Sequence, residues 1–377
     1  MLQAQKLFPG LAVAFTTSQV GFLLANELGM GLLRSQGVEI TAATQSPISG
    51  IPVGILLGVL ANKIILERRP DWEEKLLKPG LTFATKPVLQ TGIVCVGAKL
   101  SFLDLFTTGL FGFPCVAASV FAGMTLIPKV GKQLGVSDKM SSLIAAGTSI
   151  CGVTAISAVA PAIKAEPKDS SFAIANVVAF GTLGMLTMPY LAHYTLGNSQ
   201  QIGLFLGLSV HDTSQVIGSA LTYSSVYGDE LVLKIATITK LSRNILLAGV
   251  VPYLSMQYNT NPGQLSKVEQ FKKYTPQFVF AFVGMSLVRS VGDFTLTNYG
   301  SAFGVLDPAT WKQVYNFVGG PLGTQYLLGT ALAGVGLQMK LSQLKGVGYK
   351  PFLVGLSGAG IVAGTGFASA SVMGAFL

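Results

Sequence analysis

The sequence predicts an all-α, polytopic membrane protein of about eleven transmembrane helices with inverted-repeat secondary-transporter architecture. Three observations point to the helical membrane bundle. Half of the 377 residues are hydrophobic and 11% are charged, whereas a soluble domain carries about 25% charged residues. The apolar residues fall in long unbroken runs, not in the short alternating segments of a membrane β-barrel, and the mean hydropathy is +0.58. The 45 glycines suit tightly packed transmembrane helices, where small residues let backbones approach.

Hydropathy places the spans at 10–33, 47–66, 87–104, 109–128, 140–163, 172–193, 200–224, 232–255, 276–299, 315–338 and 351–375. Only the connections 67–86 and 256–275 are long and polar, so residues 1–377 read as a single integral membrane transporter domain. Within the first, Trp72–Leu77 reads as a short helix lying at the interface. Lys6 precedes about 24 mostly apolar residues without an A-x-A cleavage site, which predicts a retained first helix. Cys95, Cys115 and Cys151 lie in apolar segments without CxxC or Cys/His spacing, so neither a disulfide, a metal site nor a cofactor is expected.

The net charge of +9 does not point to nucleic acid, because no basic tract is interleaved with aromatics. The excess sits in loops. On the N-terminal side the loops carry fifteen Lys and Arg against four on the other. The positive-inside rule then puts the N-terminus in the cytoplasm and, for an odd number of spans, the C-terminus outside, with the plasma membrane as the expected location. Val96-Gly97-Ala98-Lys99-Leu100-Ser101 is faintly echoed by Val335-Gly336 and Lys340-Leu341-Ser342, in spans running opposite ways, as inverted repeats require.

Two spans carry interruptions. The fifth contains Gly147-Thr148-Ser149-Ile150-Cys151-Gly152, poor helix material because glycine costs about 1 kcal/mol relative to alanine and Ser and Thr compete for backbone hydrogen bonds. Irregular backbone at membrane depth persists only where it is buried in protein or lines a wet cavity. A second half-helix starting there offers the N–H groups of Cys151, Gly152 and Val153 to an anion, with hydroxyls from Thr148, Ser149, Thr154 and Ser157. A Ser/Thr/Gly packing face is the bland alternative.

The seventh span holds Ser209-Val210-His211-Asp212-Thr213-Ser214-Gln215. Ionisable residues at membrane depth are functional candidates by default. Asp212 suits an N-cap with Gln215 as capping-box partner, and His211 suits a coupling proton; a purely structural cap and a histidine bonded to a carbonyl are the alternatives. In the eighth span Lys240 and Arg243 share a helix face, suiting either an anion or neutralisation of Asp212. Arg289 and Asp293 in the ninth are four apart and expected to pair. Lys99 and Asp104 close the third span at the interface. Gly319-Gly320-Pro321-Leu322-Gly323 in the tenth reads as a further break.

The stretches 147–152 and Ala160–Glu166, with Ser209–Val216 and Lys240-Leu241-Ser242-Arg243, resemble the signature of the sulfate exporter family of bacterial inner-membrane proteins. Gly54–Gly58 before Asn62, and Gly92-Ile93-Val94 before Lys99-Leu100-Ser101, match that family's earlier helices; the likeness spans roughly residues 9–377. The resemblance implies a carrier related to the sodium/proton antiporter and bile-acid symporter superfamily, built from inverted repeats with a core and a panel domain. The chain departs from the pattern at Val153-Thr154, where the family often has another small residue, and at Phe271–Thr275. The superfamily would pair the fifth span with the tenth. The residues point instead to the fifth and seventh, which run the same way by this count.

The leading expectation is a secondary transporter of a small anion (sulfate, a sulfonate or a carboxylate). Thr148, Ser149, Cys151, Gly152, Thr154, Ser209, Gln215, Lys240 and Arg243 would bind it, and His211 with Asp212 would couple H+ or Na+. The alternatives are a cation/proton antiporter using Asp212 and Asp293, or an anion channel. No HExxH, GxSxG or paired catalytic aspartates mark an enzyme. The bilayer is the expected surrounding, a homo-oligomer an open alternative.

Overall fold

The computed structural model describes residues 2–35, 46, 48–69, 71–258, 277–339 and 348–373. In order, the helices are α1 (Leu2–Ser35), α2 (Gly50–Ala61), α3 (Lys78–Phe83), α4 (Leu89–Val96), α5 (Phe102–Gln133), α6 (Asp138–Ser149), α7 (Val153–Ala162), α8 (Pro167–Thr195), α9 (Ser199–Ser209) and α10 (Thr213–Tyr227). They continue as α11 (Glu230–Ile245), α12 (Leu247–Tyr258), α13 (Gln277–Tyr299), α14 (Pro308–Phe317), α15 (Gly329–Gln338) and α16 (Tyr349–Met373). Among the described residues, six stretches are long and apolar enough to cross a membrane: Lys6–Gly31, Glu74–Lys99, Leu105–Gln133, Lys168–Thr195, Gln277–Tyr299 and Tyr349–Met373. The chain is an all-α membrane protein. The expected echo at Lys340-Leu341-Ser342 and the segment Phe271–Thr275 lie outside the described residues.

The chain divides into two compact units. One comprises Met1–Phe106, Ser224–Gly228 and Phe278–Leu341. In it Asn62 Nδ2 donates to Leu337 O (2.6 Å), tying the end of α2 to α15. Trp72–Leu77 is not a separate interfacial helix: its winding runs on through α3 and α4 to Lys99, because Leu77, Leu81 and Ala84 are buried and hold the polar start against the bundle. Nor does Pro321 break the tenth span. Val318–Leu328 winds more widely, with π-type turns, and joins α14 to α15 without a gap. Proline removes one N–H from the ladder, and a wider turn absorbs the loss. Arg289 Nε donates to Asp293 at 2.7 Å, as its spacing predicts, and Trp311 Nε1 donates to the other carboxylate oxygen at 2.8 Å.

The second unit comprises Thr107–Tyr223, Asp229–Gln277 and Ser342–Leu377. Here the fifth and seventh spans differ from expectation. They do not cross. Lys139 Nζ, at the start of α6, donates to Lys164 O just past the end of α7 at 2.8 Å. Read as one crossing helix, those residues would stand about 37 Å apart at 1.5 Å per residue. Likewise Ser199 Oγ, at the start of α9, donates to Asp229 Oδ2 beyond the end of α10 at 2.6 Å. Each interrupted span is therefore a re-entrant hairpin whose two ends share one side.

The hairpins hang from opposite ends of α8, a helix about 43 Å long by its residue count. Ser137 Oγ, which caps α6 by accepting the Met140 N–H, donates to Asp169 Oδ2 in the first turn of α8. His193 Nδ1 in the last turn of α8 meets Tyr223 Oη near the end of α10 at 3.1 Å. The two hairpins thus enter from opposite directions, and do not run the same way. Oxidation of a Ser199→Cys, Asp229→Cys variant should close a disulfide that mass spectrometry detects; a crossing α9–α10 would keep the two thiols about 45 Å apart and unlinked.

Candidate functional site

Hairpin 1, made of α6 and α7, turns at Ile150–Gly152, where the Gly152 N–H reaches back to Gly147 O (2.9 Å) and closes the end of α6. Hairpin 2, made of α9 and α10, turns at Val210–Asp212, where Val210 is extended and stops α9. The tips adjoin: a Cβ on Gly152 would lie within 3.0 Å of the Asp212 Cβ and carboxylate.

The α11 helix passes both tips. Gly203 and Gly207 of α9 lie against Ile235 and Thr239, a close approach that any side chain would prevent. Directly after Thr239, Lys240 Nζ donates to Ile150 O (2.7 Å), to Val210 O (3.3 Å) and to His211 O. Arg243 donates from Nη1 to Leu208 O (2.6 Å) and Val210 O (3.4 Å), from Nε to Ser149 O and from Nη2 to Thr148 O. Both side chains are completely buried. The last carbonyls of a helix lack intrahelical partners and carry about half a negative charge. Two such ends, α6 and α9, meet at the same depth, and the two cations serve both. The expectation that Lys240 and Arg243 face an anion directly is thus corrected: the pattern could show two cations on one face, but not that orphan carbonyls would surround them.

The opposite pole of the junction is made of helix starts. Asp212 Oδ1 accepts the Ser214 N–H (3.0 Å) and hydroxyl (2.7 Å), and the Asp212 N–H donates to Gln215 Oε1 (3.1 Å). This is the capping box read from the sequence. Gln215 Nε2 donates onward to Val178 O and Thr182 Oγ1 of α8 (3.1 and 3.0 Å). Its amide is therefore engaged at both ends, so Gln215 clamps the second tip to α8 and is not available as a ligand. The α7 helix starts without a side-chain cap. Thr154 in its first turn is exposed, and Asp212 and Thr213 are half-buried. The accessible face of the junction is the one where α7 and α10 begin.

The remaining predicted residues gather around the tips. Thr148 and Ser149 contribute carbonyls to Arg243, and the Gly152 N–H is already bonded, so the donors available at the start of α7 begin after it. Cys151 is buried and unbridged. Ser149 Oγ, Ser209 Oγ, Thr239 Oγ1, Asn244 Oδ1 and both ring nitrogens of His211 are buried without hydrogen-bond partners among the described residues. Buried polar atoms are ordinarily paired, so their concentration beside two helix breaks marks a place that takes water or a ligand. Sequence reasoning missed Thr213 as a site residue; its position directly after the cap was the available signal. It also missed Thr182, for which the sequence offers none. Asp293, the second carboxylate of the antiporter alternative, belongs to the other unit and is held by Arg289 and Trp311.

The chain is similar to several membrane proteins. It is 31% identical to a UPF0324 membrane protein of Haemophilus influenzae over 314 residues, covering 82% of this chain and 84% of that one. It is 30% identical to one of Helicobacter hepaticus, covering 67% and 75%, and 28% identical to one of Fusobacterium nucleatum, covering 82% and 87%. No solved structure matches it. The family described as conserved hypothetical protein 698 matches residues 21–355, and this chain, a multi-pass α-helical membrane protein, belongs to that family.

Proposed function

We propose that the protein is a secondary transporter of a small oxyanion, with sulfate, a sulfonate or a carboxylate as the substrate class and the junction of the two hairpin tips as its binding site. One observation carries the reading: two re-entrant hairpins from opposite directions meet tip to tip with their helix starts accessible and their helix ends neutralised by Lys240 and Arg243. Helix starts favour negative charge and disfavour a cation, which argues against the antiporter alternative. Interrupted helices at mid-membrane are the usual setting of a transporter site, and movement of one helix group against another would expose it alternately.

Asp212 supplies the coupling. Its carboxylate stands beside the helix starts and repels an anion arriving there, so proton and anion bind together more readily than either alone. His211, buried next to it with ring nitrogens that have no partner among the described residues, is the relay in this reading. The hairpins also sharpen the orientation. With them removed from the list of crossings, the loop carrying Lys164 and Lys168 moves to the N-terminal side, and fifteen against four becomes seventeen against two. That supports a cytoplasmic N-terminus and an outside C-terminus in a plasma membrane.

Purified protein in liposomes, offered sulfate, methanesulfonate or acetate under imposed pH or sodium gradients, tests the proposal. Saturable uptake of at least one anion, driven by the gradient, is expected. Uptake of none of the three, or gradient-driven movement of sodium alone, would overturn it.

A further inference from the structure

We propose that Thr213, oriented by Asn244, is a specificity-determining contact for the anion; this rests on the transport reading above. Thr213 is the first residue of α10, adjoining the Asp212 carboxylate that abuts Gly152, and it is half-buried where Lys240, Arg243 and Asn244 are closed off. The cap serves the next N–H, that of Ser214, and leaves the Thr213 N–H directed out of the helix. Asn244 Nδ2 on α11 donates to Thr213 Oγ1 at 3.2 Å. A hydroxyl that accepts from an amide keeps its own proton to donate elsewhere.

Asn244 is itself well fixed: it is 1% exposed and follows Arg243, whose guanidinium is anchored on carbonyls of both hairpins. Its Oδ1, buried and without a partner among the described residues, marks the same place as one still open to a donor. A rigid side chain thus presents Thr213 as a donor twice over, through N–H and O–H, at a helix start. That pair of donors matches an oxyanion. Thr154, exposed in the first turn of α7, offers a hydroxyl from the other hairpin.

The test uses the full chain in liposomes with sulfate, methanesulfonate and acetate as probes. Thr213→Val should raise the half-saturating concentration of the transported probe about tenfold or more, while the maximal rate stays within about threefold. Thr213→Ser should behave as the parent. Asn244→Leu, which removes the amide that orients the Thr213 hydroxyl without adding charge, should weaken binding no more than Thr213→Val does, and the double variant should show no loss beyond that of Thr213→Val. A parent protein carrying none of the probes overturns the transport reading and this assignment with it. Transport by the parent with unchanged saturation in Thr213→Val overturns this assignment alone, as does failure of serine to restore it.

Discussion

Arg243→Ala should give a protein that fails to fold stably, not merely one that fails to transport. The guanidinium satisfies carbonyls at the ends of both α6 and α9 from a fully buried position. Removing one side of a buried polar network costs about 3–5 kcal/mol, because the remaining groups keep their desolvation penalty without a partner. The expected result is a lower unfolding temperature and poor monodispersity in detergent. Arg243→Lys, which keeps the charge and loses the planar fork, should fall between the two. An Arg243→Ala protein that unfolds at the parent's temperature would show that the arginine does not hold the hairpins. The sequence alone invites the opposite forecast, a folded but inactive variant, since it shows the cation without the carbonyls.

Gly152→Ala is the second large effect. Gly152 has φ 68° and ψ −130°, a backbone region that L-residues rarely enter, at a strain of about 1–3 kcal/mol. The added methyl would also meet the Asp212 Cβ and carboxylate at the point where the two tips touch. The bases of both hairpins are tied elsewhere, through Lys139–Lys164 and Ser199–Asp229. The variant should therefore assemble with its tips displaced and lose transport more than tenfold. Gly249→Ala is the control: that glycine lies in α12 with open space around it, and alanine there should be neutral or slightly stabilising. Equal transport by Gly152→Ala and the parent would remove the tip junction from the mechanism.

What could be read from the sequence was local. The interruptions at 147–152 and 209–215 were legible because Gly, Ser and Thr are poor helix material at membrane depth, and because Asp212 and Gln215 stand at capping-box spacing. The Arg289–Asp293 pair was legible for the same reason: four residues apart on a helix means neighbours. The membrane class follows from composition, since too few charged residues remain to cover a soluble surface, and the long unbroken apolar runs make it all-α.

Tertiary structure decided the rest. Hydropathy measures how long an apolar run is, not whether the chain continues across the bilayer or turns back. The stretch Met140–Ile163 has the length of a crossing and folds as a hairpin: the chain turns at Ile150–Gly152, and one hydrogen bond joins its base across 25 residues of sequence. The role of Lys240 and Arg243 was hidden for a related reason. Every residue has a carbonyl, and only the packing of α6 and α9 against α11 determines which carbonyls are left without partners and brought within reach of two buried cations.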